Sequence, residues 1–218
     1  RTVMLKTADE LIAACSNDKF KALILTAPSR RLAAAQSDPK VYTDAELAAI
    51  KAFNAAGGTV VLAGWSDNYE NYDVIQNNAD ILHMAATQNA VLQALGSSLR
   101  ISDDATYDDV RSAADGVDKW RLYFNTYGDS FLTDGVIYDA EHPHDRLYTE
   151  VFSHYGGASI YAVDASGNPV SALPASVSPV VYGHASTYSV DVDGDGLGGN
   201  ATPKYAYASG DRRVLVMA

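Results

Sequence analysis

The sequence predicts an α/β domain, with a parallel sheet flanked by helices and a β-rich, loop-rich C-terminal part. Three features carry this reading. Two apolar runs, residues 21–26 (KALILT) and 59–63 (TVVLA), have the unbroken hydrophobicity of strands covered on both faces. Two Thr-x-x-Glu capping boxes, Thr7 to Glu10 and Thr43 to Glu46, open segments of helical periodicity ahead of them. After Leu99 that alternation stops, and short apolar runs appear between Asp- and Gly-rich turns.

Taken in order, residues 2–5 are a short strand candidate. The first capping box leads into an apolar stripe at Leu11, Ile12 and Cys15, a helix of two or three turns. The run 21–26 is the first buried strand. The second capping box opens a helix over 45–56, with Leu47, Ile50 and Phe53 at helical spacing and Gly57-Gly58 as its stop. The run 59–63 is the second buried strand, adjacent and parallel to the first at the centre of one sheet. A loop over 64–71 leads to a helix at 79–95, closed by Gly96. Strand, helix, strand, helix with β-branched strands favours right-handed parallel crossovers.

Residues 102–118 are rich in Asp and read as irregular. Residues 122–124 read as a short strand, and 147–152 as a short helix ended by Tyr155-Gly156-Gly157. Strands are expected at 159–163 and 179–182, with the turn Asp164-Ala165-Ser166-Gly167-Asn168-Pro169 between them. Residues 191–200 form a Gly/Asp loop, and 213–217 are the last strand. No linker or repeat divides the chain, so 1–218 reads as one domain.

Composition narrows the function. At 218 residues the chain is long enough to bury roughly 70% of its unfolded surface. Its 47% hydrophobic content excludes a disordered chain, and one cysteine excludes a disulfide-built fold. The net charge of -11 disfavours nucleic acid, which needs clustered Lys and Arg. No apolar run approaches the ~20 residues of a membrane span. The first residue is Arg1, so the chain is expected to be excised from a longer protein. Fourteen tyrosines, many Ser, Thr, Asn and Asp, and the single cysteine fit an extracellular or cell-surface bacterial domain.

Several blocks carry a family likeness. They are Ala22-Leu23-Ile24-Leu25-Thr26-Ala27-Pro28-Ser29-Arg30-Arg31, Tyr42-Thr43-Asp44-Ala45-Glu46-Leu47, and Phe53-Asn54-Ala55-Ala56-Gly57-Gly58-Thr59-Val60-Val61-Leu62. Gly64-Trp65-Ser66-Asp67 and the run from Gln88-Asn89 to Leu99-Arg100-Ile101 complete them. Together, over residues 20–101, they resemble the class I glutamine amidotransferase-like superfamily in its ThuA-like and GIFT-type branch. The resemblance implies a flavodoxin-like fold, and a place among the modules of a large secreted or wall-attached bacterial protein.

Catalytic members of that superfamily carry a Cys on the turn after a strand, where backbone N–H groups and exposure activate the thiolate. The matching turn here reads Gly64-Trp65-Ser66-Asp67, without a cysteine. The only cysteine, Cys15, falls on the first helix's apolar stripe, as a buried structural residue. The resemblance therefore implies a pseudoenzyme. The competing reading is a hydrolase or metal-dependent enzyme in which Ser66 takes His83 as its base.

Ligand candidates remain at the carboxyl edge of the sheet, where open α/β sheets bind. Trp65, Ser66 and Asp67, with Asn68, Tyr69, Asn71 and Tyr72, suit a carbohydrate or cell-wall ligand. Arg30, with Ser29 and Arg31, falls on the same edge and suits an anion. The alternative for Trp65 is that it plugs the vacated pocket as core. His142-Pro143-His144-Asp145, with Asp139 and Glu141, offers zinc-type ligands, against a plain solvated loop. Asp191, Asp193 and Asp195, with Gly196, resemble the start of a calcium loop. The twelfth position is Thr202 rather than Glu, and 188–190 reads as extended rather than helical. The site would be weak, or the loop is a simple Asp/Gly turn. The favoured function is a non-catalytic binding or scaffolding domain that requires no cofactor, with Ca²⁺ as an optional ion and other modules of the parent protein as partners.

Overall fold

The computed structural model describes residues 2–26, 41–67, 83–110, 112–113, 118–139, 141–142, 147, 149–192, 194, 196, 205–207, 210–212 and 214–218. Helix α1, Ala8–Cys15, begins at the capping box: the Thr7 hydroxyl accepts from Glu10 N, and the Glu10 carboxylate accepts from Thr7 N. Helix α2, Asp44–Ala55, is capped in the same way by Thr43 and Glu46. Helix α3, Met84–Ala94, lies within the span expected at 79–95 and is N-capped by His83 without a side-chain bond. Gly57 and Gly96 follow α2 and α3 with φ of 91° and 71°, where a side chain would be strained.

Strands β1, Ala22–Leu25, and β2, Thr59–Leu62, pair in parallel, with Leu23 opposite Val60 and Leu25 opposite Leu62. Leu23 and Leu25 pack with Leu11 of α1, Ile50 and Phe53 of α2 and Val91 of α3 in one core. All three helices thus share the same face of the pair. The expectation of strands buried on both faces is corrected. Ile24 and Val61 are 65% and 46% exposed, and β1 alternates exposed and buried. A continuous apolar run cannot distinguish one covered face from two. Nor do β1 and β2 lie at the centre of a larger sheet; among the described residues they form a two-stranded one.

The remaining described pairings are antiparallel, so the molecule is mixed α/β. Strands β3 (Leu99–Ile101), β4 (Ala105–Tyr107), β5 (Ser112–Ala113), β6 (Asp118–Phe124) and β7 (Thr126–Tyr127) follow α3. After a single 3₁₀ turn at Phe131–Thr133 come β8 (Phe152–Tyr155), β9 (Ile160–Val163), β10 (Pro169–Val170) and β11 (Pro179–Tyr182). Then follow β12 (Tyr188–Val190), β13 (Tyr205–Tyr207), β14 (Gly210–Arg212) and β15 (Val214–Met217). One sheet has the order β10-β9-β15-β11-β7, with β3 also on β9. A second joins β5, β6 and β8, β4 pairs with β12, and β13 pairs with β14. Leu122, Phe124, Val180, Val181 and Leu215 form the core between the two larger sheets.

Five further expectations change. Residues 2–5 are not a strand. The Asp-rich stretch 102–118 holds β4 and β5, and β6 begins four residues before 122. The helix expected at 147–152 is absent from the described residues there; Phe152 instead starts β8, paired with Phe124 across the ladder. The turn at 164–169 closes the β9–β10 hairpin rather than joining β9 to β11, and Asp164 accepts there from Ser166 N and Asn168 N. No described helix is long and apolar enough to cross a membrane.

Candidate functional site

The carboxyl ends of β1 and β2 are drawn together by one side chain. Gln88 of α3, fully buried, donates through Nε2 to the carbonyl of Ala63 at 2.7 Å and to those of Leu25 and Thr26 at 3.3 Å each. It satisfies the carbonyls of Thr26 and Ala63 at the strand ends and adds to Leu25 O, which already accepts from Ala63 N. Gln88 was part of the family likeness but had no role assigned. Its place one helical turn after Met84 is a signal only once the strand ends are known to lie beneath it.

Beyond β2 the chain turns inward. Trp65 is half-buried, while Ser66 and Asp67 are 0% and 1% exposed. Ser66 N donates to Gly156 O at 3.2 Å, and its Oγ, buried, has no hydrogen-bond partner among the described residues. His83 is instead engaged with Asp103, Nδ1 to Oδ2 at 3.0 Å. Because Ser66 Oγ has no hydrogen-bond partner among the described residues, the Ser66–His83 pair is not formed. Asp67 Oδ2 accepts from Val192 N at 2.7 Å, tying the turn to the start of the acidic loop. Burial raises the Tyr107 phenol above its ordinary value, and the nearby Asp67 carboxylate adds to the rise.

Two more buried carboxyls extend the polar seam. Asp104 accepts from Ser159 N at 2.8 Å, from Ser159 Oγ at 2.5 Å and from Ser189 Oγ. Asp108 accepts from Val110 N at 2.8 Å, and from Ser186 Oγ and Thr187 Oγ1 at 2.9 Å each. Such hydrogen bonds offset the cost of taking carboxyls out of water. They also clamp β4 to β12 and to the residues before β9. Neither aspartate was singled out from sequence. Their only mark was the flanking of Ala105-Thr106-Tyr107 by acids, in a stretch that reads as irregular.

Cys15 ends α1 and is half-buried rather than buried, packed against the helix core, and desolvation pushes its thiol up. His142 is exposed and bonds Asp139 at 3.1 Å, which lowers the Asp139 carboxyl. Pro143, His144 and Asp145 lie outside the described residues. So do Arg30, Ser29 and Arg31, as well as Asn68, Tyr69, Asn71 and Tyr72. Asp191 accepts from Gly194 N at 2.7 Å and from Gly196 N at 2.9 Å; Asp193 and Asp195 lie outside the described residues. Among the described residues no three His, Cys, Asp or Glu side chains form a group able to hold a metal ion.

No family model, no curated protein and no solved structure matches the chain.

Proposed function

We propose that the chain is a non-catalytic binding or scaffolding domain of a bacterial cell-surface or secreted protein, built on an amidotransferase-like, flavodoxin-like plan without its nucleophile. The observation that carries the reading is the closure of the turn after β2. A nucleophile must be reachable by substrate and must contact its base. Ser66 is 0% exposed, and its hydroxyl has no hydrogen-bond partner, base included, among the described residues. The carboxyls around it hold backbone amides and hydroxyls of neighbouring segments, as a joint would. The C-terminal strands extend the plan, and the acidic loop takes a structural calcium ion of low affinity. Its Asp191 carboxyl is already oriented by two backbone amides.

Incubation of the 218-residue chain with glutamine and with p-nitrophenyl acetate tests this. The expected result is no ammonia and no nitrophenol above the buffer rate. Turnover of either compound that Ser66→Ala or Cys15→Ser abolishes would overturn the reading.

A further inference from the structure

We propose that the β-rich half carries a binding groove for a neutral oligosaccharide, lined by Tyr123, Tyr127 and Tyr138 and remote in sequence from the turn at Trp65. The inference deepens the binding-domain reading and rests on it.

The groove begins as a cavity of about 580 Å³ lined by residues of both larger sheets, in the size range of small-molecule sites. Tyr123 of β6, Tyr127 of β7 and Ser153 of β8 line it, with Val181 of β11 on its floor. A second cavity of about 410 Å³ shares Tyr127, Thr133 and Val136 with the first and adds Tyr138. The two adjoin at β7. The chain is pinned around it: Tyr127 donates its hydroxyl to Glu150 O at 3.0 Å, and the Glu150 carboxylate accepts from Ile137 N at 3.0 Å.

The surface here is unusually apolar for an acidic protein. Of the thirteen large hydrophobic side chains exposed among the described residues, seven fall within 123–155, among them Phe131, Leu132, Ile137 and Tyr138. Of these, Tyr123, Leu132 and Tyr138 line the two cavities.

The lining chooses among occupants. Among the described residues of the lining the one charged side chain is Glu150, with no Lys, Arg or His. An anionic ligand would meet a carboxylate there and a chain of net charge -11. An alkyl chain would strip water from Ser153 and Glu150 without replacing its hydrogen bonds. A pyranose offers both kinds of surface. Its C–H face stacks on an aromatic ring, and its hydroxyls bond the carboxylate and the Ser153 hydroxyl. Tyrosines present such rings with little side-chain entropy to lose. Tyr138 and Tyr123, 53% and 37% exposed, have ring surface open to a ligand.

Saturation-transfer NMR on the whole chain, with cellohexaose, chitohexaose and mannohexaose as separate probes, tests the groove. At least one should give transfer signals and a measurable Kd. Tyr138→Ala and Tyr123→Ala should each weaken that Kd by about tenfold. Tyr138→Phe, which keeps the ring, should bind like the parent. Val110→Ser, an exposed apolar site outside the groove, should do the same. Unchanged melting of the alanine variants will separate lost contacts from lost folding. Silence from all three glycans overturns the groove, whether or not an apolar extended peptide binds in their place. Binding that survives both alanine variants but is lost in Trp65→Ala also overturns it. Shortening of a bound hexasaccharide would instead overturn the non-catalytic reading and leave the groove standing.

Discussion

His154 shows how one side chain couples packing to pH. Its ring lies edge-on to Phe124, with centroids 6.0 Å apart, and its Nδ1 is buried without a partner among the described residues. Burial lowers its pKa from 6.5 to about 4, against a smaller opposing effect of a backbone hydrogen bond with Ala158. The unfolded chain therefore takes up a proton between pH 6.5 and 4 that the folded chain refuses. Stability is full above pH 6.5, falls as pH falls through that window, and levels off below about pH 4. The whole effect is about 3 kcal/mol. Urea unfolding at pH 7 and pH 4.5 should show this loss, and His154→Phe should remove most of it. At the same scale, sequence reading placed Ser66 and Asp67 at the strand end but could not see them buried. Burial there depends on Gly156 and Val192, which are brought in from far along the chain.

At the scale of elements, what was legible depended on how local the signal is. Both capping boxes are closed within four residues, and both form as the pattern demands. The parallel pairing of β1 with β2 followed from two unbroken apolar runs. Strands β4, β5 and β8 escaped because their pairing is set across the fold. Asp104 and Asp108 anchor β4 to β12, and the hydroxyl partners lie more than fifty residues away. Phe152 reads as well in a helix as in a strand until Phe124 stands opposite it. The acidic loop makes an element-scale prediction. Three aspartates in one turn repel one another, and a bound cation removes that repulsion. With Thr202 in place of the bidentate Glu, affinity should be on the order of 10⁻⁴ to 10⁻³ M. Millimolar Ca²⁺ should then raise the Tm, Mg²⁺ should raise it less, and Asp193→Ala should abolish the rise. A Tm indifferent to calcium would reduce the loop to a turn.

For the whole molecule, apolar packing of Ala85 and Leu92 of α3 on Ile101 of β3 and Ala158, together with a polar seam, makes two differently built halves one body. The helix side rests on Leu23, Leu25, Ile50 and Phe53, and the β side on Leu122, Phe124 and Val181. Between them run the bonds of Ser66 to Gly156 and Asp67 to Val192, and the seam continues within the β side in the bonds of Asp104 to Ser159 and Ser189. Asp104→Ala would strand the buried donors of Ser159 and Ser189, at about 1–3 kcal/mol for each group left unpaired. Chemical denaturation should show a loss of about 3 kcal/mol or more, with a smaller loss for Asp104→Asn. A change within 0.5 kcal/mol would mean that the seam contributes little.

The turn after β2 is a closed joint, and thiol labelling at position 66 tests that most directly. In a Cys15→Ser background, Ser66→Cys puts the only thiol of the chain at that turn. Under native conditions its reaction with a thiol reagent should be at least about a hundredfold slower than that of Val110→Cys in the same background, and should reach the same rate only on unfolding. Labelling at 66 as fast as at 110 in the folded protein would show the turn to be open to substrate, and would contradict the account.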